Sequence, residues 1–285
     1  MKYYSNIELT KNTYNRLKNA EVSGQIHSIF KHTINILNDD GSLFTLVDGT
    51  LNNGPNCLKI DGINFEQLNL TEASTVHFEK DKVIIEDKLI VDYKSYKFHQ
   101  QPKLSYPEKV SHIRKKIAQV KHSNWYLELK NKYQEQIFMK SVDHLIESNT
   151  NLLFTYIKNK DEVALQRTLE KFIGLGIGLT PSGDDFLTGL AYVTSLENYP
   201  NNQIFLILDS LKPTMSEKTN VISFQQFEKA LVQEVRTEVN VCLRNILSDN
   251  SFELVEEPIK SILDIGSTSG FDMLKGMLFG LEISL

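Results

Sequence analysis

Between residues 22 and 93, short runs of β-branched and apolar residues alternate with turn sequences such as Asn-Asp-Asp-Gly at 38–41. Runs of this length and composition predict β-strands. The predicted strands are 26–30, 33–37, 43–47, 58–60, 76–78, 83–85 and 89–91. Several short strands at such close spacing favour an antiparallel barrel or sandwich.

The apolar spacing changes to that of helices beyond Pro107. Leu165, Leu169 and Phe172 form a clear helical stripe, because residues three and four apart share one helix face. Further helices are predicted at 202–211, 224–247 and 271–284. A polar stretch at 92–108 interrupts the periodicity. We therefore expect an α+β chain with a β-rich N-terminal domain at 1–105 and a mainly helical domain at 106–285.

One pattern, Ser-Gly-x-Asp-x-Leu-x-Gly, occurs twice in the helical half, at 182–189 and 269–276. Each copy follows a glycine-containing loop and opens a predicted helix. The first N–H groups of a helix lack internal partners and lie at the positive end of the helix dipole, so each copy is a candidate anion site. Asp184, Asp185 and Asp272 offer carboxylate oxygens to Mg²⁺ or to an amide NH₂.

A structural reading of the same residues stands beside this one. Ser182 with Asp185, Ser269 with Asp272 and Ser223 with Gln226 each match the spacing of a helix capping box. Glycine inside a helix costs about 1 kcal/mol relative to alanine. Close packing of the two helices across Gly189 and Gly276 would explain that cost and would bring the two loops together.

Composition excludes several classes of function. The chain has 285 residues, a net charge of −5 and a pI of about 5.8, which argues against a nucleic-acid partner. No run approaches the roughly 18 apolar residues of a membrane span, and the N-terminus has no apolar signal-peptide core. We expect a cytoplasmic protein. Neither motif has the Gly-Lys-Ser/Thr ending of a nucleotide-binding loop.

The region 174–189, with Leu-Thr-Pro-Ser-Gly-Asp-Asp-Phe-Leu at its centre, resembles the signature of the AllH family. The resemblance extends to 266–276, to the Thr-Asn-Val-Ile-Ser element at 219–223 and, more weakly, to 26–55. Ile177 stands where the family often has Pro, and Ser267 stands where it often has His. No histidine role therefore carries over at position 267.

The resemblance implies a subunit of oxamate carbamoyltransferase that acts with FdrA-like and AllG-like partners. Such an enzyme moves the carbamoyl group of carbamoyl phosphate to oxamate in purine or allantoin catabolism, giving oxalurate and phosphate. The candidate catalytic residues are Asp184, Asp185 and Asp272, of which Asp184 and Asp185 are also candidate Mg²⁺ ligands; no cofactor is certain. The candidate substrate-binding residues are Gly176, Gly178, Thr180, Ser182, Gly183, Thr219, Ser223, Thr268, Ser269 and Gly270. Lys275 is either a partner for phosphate or an exposed side chain.

Three hypotheses follow. The chain is an enzyme subunit whose loops bind the substrate anion, a non-catalytic assembly subunit whose loops are helix caps, or a sensor of a small anionic metabolite. Ligand binding by the isolated chain distinguishes the first and third from the second.

Overall fold

The computed structural model describes residues 1–18, 23–135 and 137–285. Residue 22, where the predicted β-rich region begins, lies outside them. The chain divides into two compact units, Met1–Pro102 and Lys103–Leu285. Each unit has its own hydrophobic core, so each is described separately.

The first unit is built on one curled, mixed sheet that forms a half-barrel. Its strands, within the described residues, are β1 (Lys2–Tyr4), β2 (Ile7–Thr10), β3 (Ser23–Ile29), β4 (Thr33–Asn38), β5 (Leu43–Asp48), β6 (Cys57–Ile60), β7 (Thr75–Glu79), β8 (Lys82–Ile85), β9 (Leu89–Asp92) and β10 (Lys97–His99). Their order across the sheet is β1-β9-β8-β7-β3-β4-β5-β6-β2-β10. Helix α1 (Lys11–Lys18) connects β2 to the segment before β3.

Burial alternates along several strands of this sheet. In β7, Val76 and Phe78 are buried, whereas Thr75 and His77 are exposed. The expectation of a purely antiparallel sheet is wrong, because β1 pairs with β9, β2 with β10 and β5 with β6 in parallel. Strands β1, β2 and β10 were not predicted. β1 and β2 lie before residue 22, and β10 lies in the polar stretch at 92–108, so all three fall outside the region in which strands were predicted.

The second unit is helical, which confirms the α+β class. Its helices, in the part of the chain that is described, are α2 (Ser111–Lys121), α3 (Asn124–Glu135), α4 (Ile137–Asn159), α5 (Glu162–Glu170), α6 (Ser182–Thr194), α7 (Asn202–Ser210), α8 (Lys212–Lys218), α9 (Val221–Ala230), α10 (Thr237–Leu247), α11 (Glu253–Leu263) and α12 (Ser269–Glu282). None of the helices among these residues is both long and apolar enough to cross a membrane.

The single helix predicted at 224–247 is in fact two, α9 and α10. The break contains Gln233, whose φ of +60° lies in the left-handed region. Its side chain accepts a hydrogen bond from Leu104 N at 2.7 Å and donates one to Ser195 O at 2.9 Å. These bonds join segments distant in sequence, so local periodicity carried no sign of the break.

Helices α6 and α12 form the centre of this unit. Every residue of α6 is buried, as expected for a helix that is surrounded by other elements. A Cβ added to Gly189 would lie 2.1 Å from Met273 O, and one added to Gly276 would lie 2.0 Å from Phe186 O. The backbones of the two helices are therefore in direct contact, which confirms the close packing predicted at these glycines.

We expect Gly276→Ala to destabilise the protein by about 3 kcal/mol, because the new methyl group meets a backbone carbonyl that cannot move alone. Gly280→Ala on the same helix is the matched control. Its Cβ would lie 3.0 Å from Val193 Cβ and Cγ1, a much smaller overlap than the 2.0 Å approach at Gly276, so the loss should stay within about 1 kcal/mol. Urea unfolding of both variants measures the difference. Equal losses would contradict backbone contact at Gly276.

Candidate functional site

The two glycine-containing loops meet at the N-terminal ends of α6 and α12. We define the first loop as residues 174–181 and the second as residues 264–268. Across their junction, Thr180 Oγ1 lies 2.8 Å from Ser269 Oγ. Gly176 has a φ of +119°, and a Cβ there would lie 2.8 Å from Ser182 N. Only glycine fits this position, so the path of the first loop depends on it.

The first turn of α6 is already supplied with hydrogen-bond acceptors. The N–H of Gly183 donates to Leu175 O at 2.8 Å, and those of Asp184 and Asp185 donate to Pro181 O at 3.0 and 3.1 Å. The first loop folds back over the helix end and satisfies these donors. The prediction that they are unpaired is wrong.

The first turn of α12 repeats this arrangement. The N–H of Gly270 donates to Ile265 O, and those of Phe271 and Asp272 donate to Thr268 O, all at 3.0 Å. The unpaired donors predicted here are likewise absent at these positions. An anion at the junction would therefore meet side chains and the N–H groups of the loops rather than the N–H groups of residues 183–185 and 270–272.

None of the three predicted capping boxes forms. Pro181 precedes α6 and Thr268 precedes α12, and neither helix has a side-chain cap. Asn220 caps α9, where its Oδ1 accepts from the N–H groups of Ile222 and Ser223 at 3.0 Å. The serines of the motifs lie inside their helices, so their hydroxyls are directed elsewhere.

The serine of each motif lies beside the acid of the other motif, on the neighbouring helix. Ser182 of the first motif lies close enough to Asp272 of the second to lower its pKa as a donor, and Ser269 of the second does the same for Asp185 of the first. Thr180 Oγ1 donates to Asp185 Oδ2 at 2.9 Å. The glycine contacts bring the helix ends close enough for each hydroxyl to reach the opposite acid.

Burial dominates the chemistry of Asp185. It is 1% exposed, and desolvation, with smaller contributions from the Asp272 and Asp184 charges, raises its pKa to about 8. The hydrogen bonds from Ser269 and Thr180 oppose this shift without overcoming it. The Asp185 carboxyl is therefore mainly protonated at neutral pH.

Asp184 joins the first loop to the start of α9. Its Oδ1 accepts from Gly174 N at 2.8 Å, and its Oδ2 accepts from Thr219 Oγ1. Burial raises the pKa of Asp184 above its usual value. These bonds and the nearby Ser223 hydroxyl offset only part of that shift. Ser223 Oγ is buried with no hydrogen-bond partner of normal geometry among the described residues. The structure thus brings the 219–223 element to Asp184 and the first loop.

Asp272 lies in a buried ionic cluster. Lys275 Nζ lies 2.7 Å from Asp272 Oδ1 and 2.9 Å from Asp143 Oδ1. Burial raises the pKa of Asp272, and Lys275 opposes that shift. Burial lowers the pKa of Lys275, but the two carboxylates raise it above its usual value. Lys275 is thus neither exposed nor available to a ligand. Asp143 was missed; its only sequence signal is an acid on the apolar face of α4.

The carboxyl groups are used for hydrogen bonds and the ionic cluster rather than converging as metal ligands. Among the residues that the structure describes, no three His, Cys, Asp or Glu side chains are placed to hold a metal ion. Both oxygens of Asp184 already accept hydrogen bonds. The pair Asp184 and Asp185 proposed for Mg²⁺ therefore has little coordinating capacity left.

The remaining candidates divide into buried packing positions and an accessible rim. A Cβ on Gly183 would lie 2.0 Å from Phe172 O, and one on Gly270 would lie 1.9 Å from Ile262 O, so both glycines serve helix packing. The rim is formed by the outer residues of the two loops and by the first residue of α12. Its members are Gly176, Ile177, Gly178, Leu179, Thr180, Gly266, Ser267, Thr268 and Ser269.

Two family models match the chain. Residues 172–281 match the model described as oxamate carbamoyltransferase subunit AllH, and residues 5–98 match that of the AllH family N-terminal domain. The chain belongs to the AllH family. The AllH match contains α6, α9, α12 and both loops, and the two matches together cover most of the chain. No solved structure matches it.

The buried carboxyl of Asp185 predicts a pH-dependent stability for this AllH protein. Its pKa is about 8 in the folded protein and 3.8 as the ordinary value, so the folded state binds the proton more tightly. The stabilisation is present at low pH and is lost as pH rises through about 8. Asp185→Asn keeps a neutral polar group and removes the titration.

We therefore expect the melting temperature of wild type, relative to Asp185→Asn, to fall between pH 5 and pH 9. Asp209→Asn is the control, because Asp209 is an exposed acid paired with Lys212 on the surface; its difference from wild type should not change over this range. Parallel pH curves for wild type and Asp185→Asn would show that Asp185 titrates normally.

Proposed function

We propose that this AllH protein binds carbamoyl phosphate, or a closely related small anion, at the rim of the two loops as a subunit of oxamate carbamoyltransferase. The observation that carries the proposal is the junction itself. The first loop supplies the Thr180 hydroxyl and the second motif supplies the Ser269 hydroxyl, 2.8 Å apart, and Thr180 contacts a carboxyl that burial keeps mainly protonated at neutral pH. The family to which the chain belongs supplies the reaction.

The proposed binding mode uses neutral donors. The hydroxyls of Thr180, Thr268 and Ser269 and the N–H groups of the exposed glycine loop donate to phosphate or carboxylate oxygens. Because Asp185 is neutral at pH 7, it does not repel a dianion placed above it. In this proposal catalysis consists of positioning and stabilisation of charge, with no covalent intermediate on the protein.

A second candidate function is assembly of the enzyme without substrate binding. The observation that favours it is the tip of the first loop, where Ile177 is 63% and Leu179 is 46% exposed. Apolar side chains at the rim suit coverage by another protein. In this proposal FdrA-like and AllG-like subunits are the partners, in cytoplasmic purine or allantoin catabolism, and the same tip would close the site in the first candidate too.

Calorimetric titration of the isolated chain with carbamoyl phosphate, phosphate and oxamate, with and without Mg²⁺, tests the first candidate. We expect binding at the rim and a loss of about tenfold in Thr180→Val, because one hydrogen bond to an anion is removed. Thr155→Val, on the exposed side of α4, is the control and should bind like wild type. Binding that needs Mg²⁺ would show that the metal enters with the phosphate.

The same titration decides between the candidates. No heat from any of the three ligands, in protein with a normal melting temperature, would contradict the substrate site in the isolated subunit. In the assembly alternative, Ile177→Ser with Leu179→Ser abolishes co-purification with the partner subunits. If that variant co-purifies normally, the tip of the first loop is not the contact.

A further inference from the structure

The two hydroxyls at the loop junction stand between a buried acid and the exposed rim. Thr180 Oγ1 donates to Asp185 Oδ2 at 2.9 Å and lies 2.8 Å from Ser269 Oγ. Asp185 is buried, whereas Thr180 and Ser269 are half-buried. The hydroxyls are therefore the groups that both the buried acid and a ligand at the rim can contact.

Each hydroxyl carries one hydrogen, so it can donate to one acceptor at a time. When no anion is bound, Thr180 gives its hydrogen to Asp185, and donation to a carboxylate favours the ionised form. An anion at the rim competes for the same hydrogen. Once the hydroxyl turns to the anion, Asp185 loses a donor and favours the protonated form, whose O–H can then donate to the hydroxyl oxygen.

We propose that Asp185 takes up a proton when an anion binds at the two loops, and that Thr180 and Ser269 couple the two events by reversing their hydrogen bonds. This proposal rests on the proposed function, because it requires an anion at the rim. It adds a role for the hydroxyl pair as a proton connection between the ligand and the buried acid.

The other charged groups around the junction already have partners. Asp185 is therefore the group whose protonation changes when an anion binds. On its own helix Asp184 is held by Gly174 and Thr219. On α12, Asp272 is paired with Lys275, which also binds Asp143 of α4. Thr219, between α8 and α9, and Ser223 of α9 contribute hydroxyls near Asp184, and Lys229 of α9 pairs with Glu234. The acid of α7, Asp209, pairs with Lys212 on the surface.

Such a connection fits the proton balance of carbamoyl transfer. The amide nitrogen of oxamate forms a bond to the carbamoyl carbon, the bond from that carbon to the phosphate oxygen breaks, and one proton passes from nitrogen to phosphate. In the proposed sequence protonated Asp185 delivers its proton through the hydroxyl pair to the departing phosphate, so Asp185→Asn would lose this step. The proton lost by nitrogen restores Asp185, so no additional reactant is needed.

Titration calorimetry of the full chain at pH 8, in two buffers of different ionisation enthalpy, measures the proton uptake. The probes are inorganic phosphate and oxamate. Because Asp185 is about half ionised at this pH, we expect wild type to take up as much as about half a proton per ligand beyond the uptake of Asp185→Asn. Asp185→Asn cannot take up this proton and is therefore the reference for the uptake; its affinity is measured in the same titrations.

The hydroxyl pair is tested by Thr180→Val against Thr180→Ser. Valine has nearly the shape of threonine without the hydroxyl, and serine keeps the hydroxyl. We expect the uptake attributed to Asp185 to fall in Thr180→Val and to remain in Thr180→Ser. Melting temperatures confirm that each variant is folded, and this pair tests the proposal even if Asp185→Asn is unstable.

The outcomes separate the two proposals. Binding with the same proton uptake in wild type and Asp185→Asn would overturn the proton coupling and leave the anion site intact. Equal uptake in Thr180→Val and Thr180→Ser would assign the coupling to the Asp185 charge alone and overturn the role of the hydroxyls. No binding of either probe by wild type would overturn the anion site and the coupling with it.

Discussion

Direct backbone contact between α6 and α12 is the constraint on which the rest of the helical unit depends. Gly189 lies against Met273 O and Gly276 against Phe186 O. These two contacts are equivalent when the motifs are superposed on each other, so the helix pair has an internal two-fold relationship. The symmetry places the two loops at the same end of the pair. Any side chain at either glycine would push the two helices apart. The loops would then separate, and the polar contacts at the junction would be lost.

The hydroxyl contacts between the two motifs are symmetric, but the charges around the two motif acids are not. The position of Lys275 in the second motif corresponds to Thr188 in the first. Asp272 therefore has a cation at 2.7 Å, whereas Asp185 has only hydroxyl partners. One buried acid is held as an ion pair, and the other keeps its proton at neutral pH. The lysine in one copy accompanies different chemistry at equivalent positions, because a buried charge is stable only when it is compensated.

Local signals in the sequence predicted much of this arrangement. The change from strand runs to helical spacing indicated the α+β class, and the costly helical glycines indicated the contact between the motifs. The capping boxes failed because spacing identifies a serine and an acid but not which helix each will bond. Asp143 and the break at Gln233 were missed for a related reason: their partners lie far away in sequence, and no local pattern encodes a contact of that kind.

The account depends most on the claim that each motif serine bonds the acid of the other motif. A double-mutant cycle on the free energy of unfolding measures this directly, with Ser182→Ala combined in turn with Asp272→Asn and with Asp185→Asn. We predict a coupling of about 1 kcal/mol between Ser182 and Asp272 and almost none between Ser182 and Asp185. The reverse result, with coupling confined to Ser182 and Asp185, would show that the motifs are ordinary capping boxes and would contradict the shared junction.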